Sequence, residues 1–218
     1  MQLTQLKLLI IVFLVAITTT ESASQSTNKN EVLLDAMSPF ENMIEFALAG
    51  SHPNISKALS FARQQAAKVK TALPASAADE FSILMDDLDN ANTQTDHLHV
   101  AKNALEIFRL LSDNLEAKTL SVPKEVSLLD YAGFKFRVLT ASPKTDWSDV
   151  RQTVDETARW WKVIKKKVSE KGLRDAFGTL IGGLEEASKS KNLPLLRFAA
   201  QVELDLVDLL ERDPNAKL

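Results

Sequence analysis

No cysteine occurs among the 218 residues. That absence excludes a disulfide framework, a thiolate metal site, covalent c-type haem attachment and a cysteine nucleophile. It also excludes a lipidated cysteine, so hydrophobic packing has to stabilise the fold. Glycine is scarce, at six residues, and three of them cluster at Gly178, Gly182 and Gly183. No stretch alternates apolar and polar residues as a half-buried strand does. A Gly-x-Ser-x-Gly elbow, a phosphate loop and a dinucleotide glycine fingerprint are all missing. Catalysis has no signature here, and a non-catalytic protein is expected. Basic excess is missing too: the net charge is −3, unlike that of a dedicated nucleic-acid binder. The acidic run "MDDLDN" from Met85 lacks the calcium-loop pattern and reads as a solvated helix face.

Hydrophobic residues make up 45% and charged residues 25% of the chain, enough to bury a core. Lys7 precedes an apolar run, Leu8 to Ile17, followed by "TTTESAS". A charged start, a short apolar stretch and small residues are the marks of a secretory signal peptide. The run is shorter than the roughly 20 residues a membrane span needs. Residues 1–24 are therefore expected to be a signal peptide, cleaved after Ser22 or Ser24. The mature chain would be exported to the periplasm or extracellular space, with no membrane span. Residues 25–34 are expected as a flexible polar lead and 214–218 as a disordered tail.

Between them, 35–213, every informative segment carries helical spacing. The expected fold is all-α: about eight helices forming four antiparallel hairpins at about 38–73, 76–117, 121–171 and 172–212. They would pack as a helix bundle or a short curved stack. "SPFE" at Ser38 is a capping box that would open the first helix. Gly50 would end that helix, and Gly172 would end the sixth. The turns "AGSHPN", "DNANTQT", "ASPKTD" and "SKSKN" are short and polar, as antiparallel neighbours require. The second helices align without gaps: Ala62, Ala66 and Val69 match Ala101, Leu105 and Phe108. In that register His97 is level with Ala58, Val150 and Leu195. Gly133, Gly178, Gly182 and Gly183 are expected to let helices approach closely.

Two of the three histidines lie in "DHLH". His97 and His99 point about 200° apart on a helix, so they cannot grip one ion together. His97 falls on the apolar arc with Ala101, Ala104, Leu105 and Phe108; His99 falls on the wet side. His52, in "GSHPN", reads as a solvated turn residue, or else a loop ligand reaching over the bundle end. Glu203 interrupts the apolar arc of the last helix. A buried carboxylate is costly unless paired, protonated or bound to a metal. Helix bundles build metal and cofactor sites from inward histidines and carboxylates. His97 with Glu203 is thus the candidate metal pair, and Met43 or Met85 could complete a non-covalent haem or copper site.

"RWWKVIKKK" from Arg159 offers a second surface. Trp160, at the edge of its helix's core face, with Lys162 and Lys166 could dock a protein partner. Asp130 and Tyr131 are adjacent but point about 100° apart. The expectation is an exported binding protein taking a divalent transition metal or haem through His97. The alternative is a protein–protein scaffold with no small ligand.

Overall fold

The computed structural model describes residues 29–212. Residues 1–24, expected as a signal peptide, residues 25–28 of the lead and residues 213–218 lie outside the described residues. The chain is all-helical, with eight helices and no strand among the described residues. Helix α1 covers 29–48, α2 His52–Ala72, α3 Ala75–Thr93 and α4 His97–Asp113. After a short 3-10 turn at Ala117–Thr119 come α5 Lys124–Ala141, α6 Trp147–Ile164, α7 Lys171–Ser190 and α8 Leu193–Arg212.

The first helix does not wait for the Ser38 capping box. It is already formed at 29, and Pro39 sits inside it. A proline there removes one helical hydrogen bond and costs about 3 kcal/mol. The compensation is a continuous apolar stripe: Leu33, Met37, Phe40, Ile44 and Ala47 are all buried. Phe40 meets Phe81 of α3 edge to face at 6.3 Å. The part of the polar lead at 29–34 is therefore helical and docked. The Asn30 amide donates to the Glu116 carbonyl at 2.9 Å and accepts from the Glu116 amide at 2.8 Å. The sixth helix also departs from expectation, ending at Ile164 well before Gly172. Gly172 lies in the first turn of α7, where its N–H donates to the capping carboxylate of Glu170 at 2.8 Å.

Three of the four hairpin turns share one construction. Gly50, Thr95 and Lys191 each adopt left-handed backbone, with φ of 71°, 56° and 52°. The next residue in each turn donates its N–H five residues back: Ser51 to Phe46, Asp96 to Ala91, Asn192 to Ala187. This is the Schellman closure of a helix. The following helix then starts at once, at His52, His97 and Leu193. His97 is thus level with His52, not with Ala58. Spacings of four and three recur along every helix, so apolar matching alone could not select the right turn.

Packing follows chain order from α2 to α8, and α8 returns to lie on α5. The buried side chains divide into two clusters. One joins α1 to α4 with Tyr131, Phe134 and Val138 of α5; the other joins the opposite face of α5 to α6, α7 and α8. Helix α5 serves both, with Val126, Leu129, Ala132 and Phe136 in the second cluster. Gly133 makes the α5–α8 contact possible: a Cβ there would lie 2.6 Å from Leu204 Cδ2. The other helical glycines behave differently. Gly178, Gly182 and Gly183 have nothing within 4 Å of a built Cβ, so the close packing expected of them is absent.

Candidate functional site

Two places collect polar side chains beyond what packing explains. The larger is a cleft of about 380 Å³ between α1, α5 and α8. Glu41 and Glu45 reach it from α1, Asp130 from α5, and Asp205, Asp208 and Glu211 from α8. Asn42 and Gln201 add amides, Phe134 and Leu204 form apolar wall, and none of the ten lining residues is basic. The α8 acids recur at three-residue steps, which places them along one stripe of the helix.

Burial and mutual repulsion disfavour charge on Glu41, Asp130 and Glu211. Glu41 is held up to about 7, first by desolvation and then by Glu211, Glu45 and Asp208. Asp130 is raised well above its ordinary value by burial, then by Glu41 and Glu211. Glu211 is raised by burial and by Asp208. Partial relief comes at the rim, where Arg137 donates to Glu45 at 3.1 Å and Gln201 donates to Asp205 at 3.0 Å. Behind the lining lies Glu203. It is 0% exposed, and neither carboxylate oxygen has a partner. Desolvation raises it well above 4.5, and the only charged group adding to that is Asp130.

The second place is the corner where the α1–α2 turn meets the start of α4. The rings of His52 and His97 lie 6.2 Å apart, centre to centre, with 27° between their planes. His97 is half-buried and rests on the turn, its Nδ1 being 3.8 Å from where a Gly50 Cβ would stand. His52 Nδ1 and His97 Nε2 are buried without a hydrogen-bond partner. The Asn92 Oδ1 is likewise buried and unpartnered, while the same amide donates to Ser56 Oγ at 3.4 Å. His99 faces water and its Nδ1 is 2.7 Å from Asp96 Oδ2. His52 is therefore not a simple solvated turn residue.

The expected pair of His97 and Glu203 is not assembled. His97 belongs to α4, which packs on α3 and α5, whereas Glu203 belongs to α8, which packs on α5 and α7. Each has a different neighbour, His52 and Asp130 respectively. Met43 and Met85 are buried in the α1–α4 core. Neither methionine nor His97 lines the cleft. Among the described residues, no three His, Asp or Glu side chains converge as a metal set.

Trp160 is turned inward at the seam of the two cores. Its ring meets Tyr131 edge-on at 6.4 Å, and the Arg109 guanidinium lies 5.0 Å from both ring centres. Arg109 also pairs with Asp113 at 2.7 Å. Lys162 and Lys166 remain exposed. Along the sequence Glu203 stands out as an acid within an apolar arc, whereas Asp205, Asp208 and Glu211 have the spacing of an ordinary wet helix face. The signal for His52 was present: "SH" and "DH" each put a histidine directly after a helix-capping residue.

Comparison with protein-family models, curated proteins and solved structures finds no match to this chain. No described helix is long and apolar enough to cross a membrane.

Proposed function

We propose that this chain is an exported, non-catalytic binding protein that holds a cationic organic ligand in the cleft between α1, α5 and α8. The observation that carries this reading is the cleft itself, lined by six carboxylates from three helices and by no basic side chain among its ten lining residues, with burial disfavouring charge on Asp130 of α5. Glu203, fully buried and unpartnered beside it, adds to the same demand for a counter-charge. A bound ammonium group would supply that charge and donate hydrogen bonds to the lining carboxylates. A cavity of about 380 Å³ falls in the range of small-molecule sites. The carboxylates are spread along three helices, and no three converge as a metal set. Several separated charges suit an amine with more than one nitrogen better than a single metal ion. Export rests on Lys7 and the Leu8–Ile17 run.

Isothermal calorimetry with spermidine tests the reading. Binding is expected at pH 8 and low salt, weakening as pH falls through about 7, where Glu41 takes up its proton. Asp130→Asn should weaken binding at least tenfold. Absence of spermidine binding, or equal binding by Asp130→Asn, would remove the cleft from consideration. N-terminal sequencing of the secreted chain tests export; a first residue at 23 or 25 is expected.

A further inference from the structure

We propose that His52, His97 and the side-chain oxygen of Asn92 form a second, separate site that takes a late first-row transition ion, Zn(II) being the probe. Three buried atoms with lone pairs have no partner here, and the turn geometry of the first two hairpins sets the two histidine rings side by side. His52 Nδ1, His97 Nε2 and Asn92 Oδ1 are all buried and unsatisfied. Buried polar atoms in folded proteins are as a rule hydrogen-bonded, so these three orphans call for a partner.

The chain sets the two rings side by side and ties Asn92 to the start of α2. His52 and His97 are the first residues of α2 and α4, and each follows the same left-handed turn. Asn92 lies in the last turn of α3, and its amide is tied to Ser56, one turn beyond His52 on α2. That bond uses the amide nitrogen and leaves the oxygen free to act as a ligand. Thr95 is a β-branched residue held at φ 56°, a strained conformation. It turns the chain so that α4 begins with His97 against the Gly50 turn.

The donor set indicates the ion. Two imidazole nitrogens favour zinc, copper or nickel over calcium or magnesium, which prefer all-oxygen shells. A zinc ion binds in the plane of each ring at about 2.0–2.1 Å, so rings 6.2 Å apart with 27° between their planes must turn and close in slightly to hold it. The amide oxygen and solvent would complete four-coordination. The positive ends of α2 and α4 oppose a cation at this corner; two metal–nitrogen bonds outweigh that field.

The test uses the mature chain and zinc chloride. Long-range proton–nitrogen NMR on the wild type should show one equivalent of Zn(II) shifting His52 Nδ1 and His97 Nε2 while leaving His99 unmoved. In calorimetry, His52→Ala and His97→Ala should each weaken zinc binding at least tenfold, and Asn92→Ala less. His99→Ala and Asp130→Asn should bind as the wild type does. The Asp130→Asn control keeps this site distinct from the acidic cleft. No zinc uptake, uptake that leaves both ring nitrogens unshifted, or uptake lost with Asp130→Asn would overturn the proposal.

Discussion

Glu203 sits wholly inside the protein with both oxygens unpartnered. Such a carboxyl destabilises the fold at neutral pH, because it must either stay charged in an apolar setting or take up a proton. Glu203→Met is expected to raise the free energy of unfolding at pH 7.5 by about 2 kcal/mol, within the range found when buried ionic groups are replaced by apolar ones. Urea denaturation of both forms checks this; a lower midpoint for the variant would mean that Glu203 has a stabilising partner. Glu41 gives the matching pH dependence. Its ordinary value of 4.5 is held up to about 7 in the fold, so between those values the folded state binds more protons than the unfolded chain. Stability should fall as pH rises through that window, by about 3 kcal/mol for a shift of this size. Asp96 and Asp175 are lowered by bonds to His99 and Lys171. They act in the opposite sense, but below their ordinary 3.8, outside the window. Thermal melts at pH 5.5 and pH 8 should show the higher midpoint at pH 5.5, and Glu41→Gln should narrow the gap.

At the scale of single helices, α7 and α5 use glycine for opposite ends. On α7, Gly178 and Gly182 meet open space, so an added methyl has nothing to strike. Gly178→Ala and Gly182→Ala should each stabilise the protein by up to about 1 kcal/mol, through helix propensity and a less disordered unfolded chain. On α5, Gly133 faces Leu204 with no room for a Cβ. Gly133→Ala should destabilise by about 1–3 kcal/mol through overpacking. Leu204→Ala in the same chain should recover part of that loss. Equal effects at Gly133 and Gly178, read from denaturation midpoints, would contradict the packing described for α5 and α8.

The whole molecule carries two apolar clusters joined through α5. All three tryptophans lie in α6: Trp147 and Trp161 report the second half, and Trp160 the seam. Helix content reports both halves. Because α5 buries one face in each cluster, and Trp160 with Arg109 and Tyr131 closes the seam, loss of one half should expose the other. Urea curves followed by fluorescence and by far-ultraviolet circular dichroism are therefore expected to coincide. Separate midpoints would make the halves independent units.

Much of the architecture was legible along the chain, because helical order writes itself locally. Apolar residues three and four apart, polar turns and the lack of alternation determine eight helices and their hairpin pairing. The inward place of Glu203 could be read for the same reason: Leu196, Ala199 and Leu210 share its buried face. The start of α1 could not, since docking of Leu33 and Asn30 overrides the local break at Pro39. The candidate sites belong to tertiary structure. His52 meets His97, and Glu41 meets Asp130 and Glu211, only once distant helices are laid side by side. Periodicity specifies which face of a helix is buried, whereas which two faces meet, and at what height along their axes, depends on turn geometry and on side-chain fit across the interface.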